Sequence, residues 1–162
     1  MPPIHFNYLI QDTNMDYSHP PFGNLTLITE ETTDTSFLQG KFNEMPFSIQ
    51  ITQPIDLEKI DFNFIQKKMT DFSQIKAKTE LFLKNILHTH PEQLGCNNYE
   101  TEINETKELI SFPEFIFYDH KKNWDIIFRE SILPIAEPYG ILVNYHDNDI
   151  TGFEDISNSE EL

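Results

Sequence analysis

Residues 46–72 read PFSIQITQPIDLEKIDFNFIQKKMTDF, and within that stretch the hydrophobic period changes once. Phe47, Ile49 and Ile51 alternate with Ser48, Gln50 and Thr52, the period-2 pattern of a strand with one buried and one wet face. Pro46 stands at a strand start, where a missing N–H does least harm. Beyond Pro54, Phe62, Ile65, Met69 and Phe72 recur at helical spacing while Lys59, Gln66, Lys67 and Lys68 take other positions, which predicts an amphipathic helix over residues 56–69. Asp71-Phe72-Ser73-Gln74 has the spacing of a capping box and predicts a second helix. Its apolar stripe is Ile75, Phe82 and Ile86 with Leu81 alongside, and it ends near His90-Pro91, because a residue before proline is pushed out of the helical region. The two segments read as a helix pair or as one bent helix.

Strand signals lie on both sides. Upstream, residues 1–21 read as an N-terminal strand or arm, and residues 22–53 read as β: Gly23 opens Leu25 to Thr29, a polar run turns the chain, and Phe37 to Phe42 carries Gly40 inside a second strand. Downstream, residues 92–111 are polar and read as an acidic surface loop. Over 112–157 β character returns: Phe115 to Tyr118 and Trp124 to Phe128 flank a polar connection, Gly140 precedes Ile141 to Tyr145, and Asn148-Asp149 turns into Ile150 to Ile156. Residues 158–162 read as a frayed tail. Strands, then a helix pair within 54–91, then strands predict a single α+β domain: a mainly antiparallel β-sheet with the helix pair packed on one face.

The chain has 162 residues, 38% of them hydrophobic and 13% aromatic, which is too rich in core-forming side chains for a disordered acidic chain. Lys and Arg number 11 and Asp and Glu 27, a formal net charge of −16. That balance argues against direct nucleic-acid or anionic-membrane binding, both of which depend on cationic side chains. Residues 1–81 carry 11 acids and 6 bases and residues 82–162 carry 16 acids and 5 bases, so −11 of the −16 falls in the second half. Beyond Ile132 there are seven carboxylates and no Lys or Arg. One cysteine, Cys96, rules out an internal disulfide and reads as an inert or slowly oxidisable surface thiol. The opening residues lack a basic segment followed by an apolar run, and no stretch approaches the length of a membrane span, so a cytoplasmic protein is expected.

Little in the sequence points to catalysis. The five glycines are isolated, so no phosphate-cradling loop is present, and the element order lacks the alternating βαβ pattern of a dinucleotide site. His88 and His90 diverge on a helix and suit its C-terminal dipole better than a metal. One stretch approaches a metal loop: Asp147 and Asp149 at positions 1 and 3, Thr151 at 5, Gly152 at 6 and Asp155 at 9 follow the calcium-loop spacing, with Asn158 in place of the bidentate Glu at 12. The competing reading is a polar β-turn followed by acidic surface. Trp124 lies in an alternating strand and reads as core.

Several segments together resemble a known group. They are Phe22-Gly23-x-Leu25-x-Leu27, the strand with Gly40 and Phe42, the Phe47/Ile49/Ile51 strand, the helix pair, Trp124-Asp125-Ile126-Ile127-Phe128-x-Glu130, Pro138-Tyr139-Gly140-Ile141-x-Val143 and Glu154-Asp155-Ile156-Ser157. In order and spacing they resemble small bacterial domains of unknown function, many of them assigned as immunity proteins of polymorphic or secretion-delivered toxin systems. Phe37 departs from that pattern, where Trp or Tyr is usual, and the loop over 92–111 is longer and more acidic. The resemblance implies a non-enzymatic binding protein, without cofactor, whose cognate toxin varies. Electrostatics adds a surface to that expectation: Glu100, Glu102 and Glu105 in the loop, with Glu137, Asp147, Asp149, Glu154 and Asp155, would steer a basic toxin toward a monomer or weak dimer. The alternatives are an acidic DNA mimic or adaptor, which would bind several unrelated DNA-binding proteins, and a small calcium-binding domain using Asp147, Asp149, Thr151 and Asp155.

Overall fold

The structure, a computed structural model, describes residues 13–30, 32–97, 106–119 and 122–159. Among these residues eight strands form one sheet in sequence order: β1 (Thr13–His19), β2 (Gly23–Thr29), β3 (Thr35–Phe42), β4 (Met45–Thr52), β5 (Ile110–Tyr118), β6 (Asn123–Ser131), β7 (Ile141–His146) and β8 (Asp149–Asp155). Every neighbouring pair is antiparallel except β4 and β5, which run parallel along Phe47–Gln50 and Phe115–Tyr118. Two four-stranded meanders are thus fused through one short parallel seam. A parallel return needs a long crossover, and the chain between β4 and β5 provides it with α1 (Phe62–Thr70) and α2 (Phe72–Thr89). The α+β class, the single domain and the helix pair are as the sequence predicts.

The period-2 pattern decides which face is covered. Leu25, Leu38, Phe47, Ile49, Ile51, Phe115, Phe117, Trp124, Ile126, Phe128, Val143 and Tyr145 are all buried in one cluster with Ile65, Met69, Leu83 and Leu87 of the helices. Ring contacts fix the seating: Phe62 of α1 lies 5.7 Å from Phe22 and Phe64 lies 6.4 Å from Phe117, while Phe72 of α2 lies 5.7 Å from Phe115. Trp124 sits at the centre, stacked 4.2 Å from Tyr145 and 5.8 Å from Phe117. Offset ring pairs add to the area they bury. Both described helices therefore lie on this inner face, and the outer face carries the polar alternates together with Ile28, Phe37, Ile116, Ile127 and Leu142, of which Ile127 is buried.

Several local expectations change. The first helix begins at Phe62, not near residue 56: Asp56 caps a separate 3-10 turn at Leu57–Lys59, Ile60 is extended, and the Asp61 carboxylate accepts from Phe64 N–H at 3.0 Å to start α1. The capping box does not form, because the Asp71 carboxylate accepts from Lys67 Nζ at 2.6 Å. Asp71 alone separates α1 from α2. The buried stripe of α2 centres on Thr79, Leu83 and Leu87, with Ile75, Phe82 and Ile86 at its flanks, and Leu81 points to solvent. Lys68, expected on the wet face, is only 2% exposed. Cys96 is buried too, and Leu94, Leu109 and Ile110 anchor the two ends of the segment read as a surface loop into the core.

Candidate functional site

Polar residues at the outward positions of β5 to β8 meet in register. Asp125 of β6 lies opposite Ile116 of β5 and Asn144 of β7, and Leu142 of β7 lies opposite Glu154 of β8. On the outer face they line an open depression of about 630 Å³ whose walls include Tyr118, Asn123, Asp125, Asn144, His146 and Thr151. Tyr118 Oη donates to Asp125 Oδ2 at 2.7 Å, and Asn144 Nδ2 donates to Asp125 Oδ1 and to Glu154 Oε1, both at 3.1 Å. One amide therefore holds two carboxylates together. At the rim, His146 Nδ1 lies 2.6 Å from Asn123 Oδ1.

Asp125 is 8% exposed, and burial pushes its carboxyl above the usual range, with the nearby Glu154 charge adding to the push; the bonds from Tyr118 and Asn144 act the other way. Burial and the bond to Asp125 raise the Tyr118 hydroxyl well above its ordinary value. The hydroxyl thus stays protonated and keeps donating at any physiological pH. Each Asp125 oxygen accepts one of these bonds and has capacity for more. The arrangement is a fixed, partly desolvated acceptor set suited to an ammonium or guanidinium group.

The residues expected to form the site are only partly brought together. Glu154 is tied to the depression through Asn144, and Thr151 lines it. Asp147 and Asp149 flank Asn148 in the β7–β8 turn and engage lysines from the helices: Lys68 Nζ donates to Asp147 Oδ1 at 2.8 Å and to Asn148 Oδ1 at 2.6 Å, and Lys78 Nζ lies 3.4 Å from Asp149 Oδ1. The bond from Lys68 holds the Asp147 carboxyl below its usual range. Trp124 Nε1 closes the turn from beneath by donating to the Asp147 carbonyl at 2.9 Å. Asp155 accepts from Ser157 N–H at 2.8 Å, which lowers its carboxyl, and Glu137 is exposed after the 3-10 turn Pro134–Ala136. Glu100, Glu102 and Glu105 lie outside the described residues.

The calcium-loop spacing is that of a tight hairpin. Asp149–Asp155 is strand, which at about 3.3 Å per residue carries Asp155 far from Asp147, so Asp147, Asp149, Thr151 and Asp155 do not surround one point. Among the described residues no group of three or more His, Cys, Asp or Glu is placed to hold a metal ion. No helix among them is long and apolar enough to cross a membrane.

No protein-family model, curated protein or solved structure matches the chain. Tyr118, Asp125 and Asn144 were not singled out by sequence reading, although a signal exists. Asp and Asn are depleted in strands, and here one of each interrupts an otherwise apolar strand, Asp125 in Trp124 to Phe128 and Asn144 in Ile141 to Tyr145.

Proposed function

We propose that the protein is a non-enzymatic binding protein that docks a basic protein partner on its outer sheet face, and that its role is that of an immunity protein neutralising a cognate toxin. The observation that carries the reading is Asp125: a buried carboxylate on the sheet face opposite the two described helices, oriented by Tyr118 and Asn144 and set beside Glu154. A lone buried charge is costly, and one aimed outward from a preorganised setting finds its counter-charge in a partner's Arg or Lys. Such a desolvated pair at the middle of an interface is the kind of contact that dominates affinity. The net charge of −16 supports the same reading by speeding encounter with a cation-rich partner. The charge after Ile132 is less available than its count suggests, since Lys68 and Lys78 take up Asp147 and Asp149, so the outer face and Glu154 replace the turn as the proposed contact.

The test is to identify the partner by in-cell crosslinking to the full chain and to measure affinity at low and moderate salt for the wild type, Asp125→Asn and Glu154→Gln. A basic partner, weaker binding in salt and a loss of about tenfold or more for Asp125→Asn are expected. An acidic partner, or affinity indifferent to salt and to both substitutions, overturns the reading. Capture of several unrelated DNA-binding proteins instead of one partner points to the DNA-mimic alternative.

A further inference from the structure

The parallel seam between β4 and β5 covers only Phe47–Gln50 and Phe115–Tyr118, so the first half of β5 extends beyond its neighbour. A groove of about 350 Å³ opens there, between the β3–β4 turn and the start of β5. Its apolar lining is Met45, Pro46, Phe112 and Pro113. Phe112 is the most exposed large apolar side chain among the described residues, at 64%. Its backbone has φ +53, a left-handed conformation that a bulky side chain rarely adopts and that a glycine would hold without cost. Strain of this kind persists where the surroundings over-determine it and gathers at functional positions.

Charge decides what the groove fits. Glu44 and Glu130 stand exposed at its rim, together with Glu114. Among the described residues the one cation lining it, Arg129, is already engaged: its guanidinium meets Glu114 Oε2 at 2.7 and 2.8 Å and donates to the Tyr139 carbonyl at 3.3 Å. An apolar floor inside an acidic rim complements an apolar side chain flanked by cations.

We propose that this groove docks a peptide segment of a protein partner in which one large apolar side chain is flanked by Lys or Arg, with Phe112 as the anchor. The proposal rests on the reading of a basic protein partner and places a second contact at the end of the β5–β6 pair, beside that face. Glu114 and Arg129 are outward-facing like Asp125, and Glu114 lies about 13 Å along β5 from Tyr118 at ~3.3 Å per residue. A single partner surface can span both.

The experiment is amide chemical-shift mapping on the labelled full chain, with Arg-Arg-Trp-Arg-Arg as the probe and a counterpart carrying Ser in place of Trp as control. Shifts concentrated at Glu44, Met45, Phe112 and Glu130, an affinity lowered by about tenfold or more in Phe112→Gly and also lowered in Glu130→Lys, and little binding of the Ser peptide are expected. Phe112→Gly is chosen because it removes the side chain and relieves the backbone, so its melting temperature should stay at or above that of the wild type, and lost binding cannot then be lost folding. Equal affinity of wild type and Phe112→Gly, or no binding at all, overturns the groove. Shifts confined to Tyr118, Asp125 and Asn144 also overturn it while leaving the basic-partner reading standing, which Asp125→Asn tests separately.

Discussion

Lys68 and Asp147 are 79 residues apart in sequence, yet Lys68 Nζ lies 2.8 Å from Asp147 Oδ1, with the ammonium also 4.9 Å from the centre of the Phe64 ring and 5.9 Å from that of Trp124. A cation from α1 thereby ties the first crossover helix to the last hairpin, across the aromatic core. The same contact explains why carboxylates in a segment without Lys or Arg do not simply repel one another. The chain supplies their counter-charges from the helices, Lys68 to Asp147 and Lys78 to Asp149.

Two substitutions separate the stem of Lys68 from its charge. Lys68→Ala removes a buried aliphatic stem and leaves a cavity between α1 and Trp124, so a loss of about 2–4 kcal/mol is expected. Lys68→Met keeps the stem, and Asp147, which is 44% exposed at its side chain, can be rehydrated, so this variant should fall within about 1 kcal/mol of the wild type. Urea unfolding of the three proteins measures both. Equal losses for Ala and Met would show that the charge, not the packing, is what matters.

Millimolar calcium should leave the melting temperature unchanged, because a ligand that binds only the folded state raises it and no folded-state site is formed by Asp147, Asp149, Thr151 and Asp155. Differential scanning calorimetry with and without calcium decides this, and an upward shift would mean that the β7–β8 hairpin rearranges to chelate.

Much of the architecture was legible because it depends on period. Phe47/Ile49/Ile51 and Trp124/Ile126/Phe128 alternate as half-buried strands do, and Phe62, Ile65 and Met69 recur as a helix requires. What escaped depends mostly on contacts between residues distant in sequence, the exception being Asp71, whose partner Lys67 is four residues away. Lys68 looks solvated until the β7–β8 turn folds beneath it, Asp71 looks like a cap until Lys67 takes its carboxylate, and Cys96 looks exposed in a polar stretch until Leu94 and Leu109 draw both ends inward. The depression escaped for the same reason. Asp125, Asn144 and Glu154 are spread over three strands, and only the sheet register makes them neighbours.

Trp124 is the only tryptophan, which makes fluorescence a site-specific probe. It is fully buried on the helix side of the sheet, so native emission should be blue-shifted and move to the red on unfolding. A partner docking on the outer face does not touch it. Saturating partner should therefore leave the emission maximum in place, and a clear shift on binding would place the partner near the helices instead.

Two glycines with positive φ should respond differently to alanine. At Gly140, φ is +104 and a Cβ would collide with the Phe128 carbonyl oxygen, a backbone atom that cannot step aside. At Gly23, φ is +71 but nothing lies within 4 Å of the added atom. Gly23→Ala should cost about 1–2 kcal/mol of left-handed backbone strain. Gly140→Ala adds a steric clash to such strain and should cost clearly more or prevent folding; urea unfolding and soluble yield compare them.

Asp125 should set stability and binding against each other in a pH-dependent way. Its carboxyl is raised in the folded protein by burial, so folding favours its protonated form. The stability this group contributes is fully present below the unfolded carboxylate value of about 3.9 and is lost as pH rises through the higher folded value. Asp147 and Asp155 are lowered and act in the opposite sense, but they are common to wild type and variant and cancel in a difference. Asp125→Asn cannot ionise. The stability of Asp125→Asn minus that of the wild type should therefore increase from about pH 3.5 to pH 7, whatever constant offset the altered bonds to Tyr118 and Asn144 impose. Urea unfolding across that range measures the slope, and a flat difference would mean that the carboxylate is as well solvated in the fold as in the open chain. Its partner affinity at neutral pH should fall as stability gains, because the charge that is costly to bury is the charge a basic partner would meet.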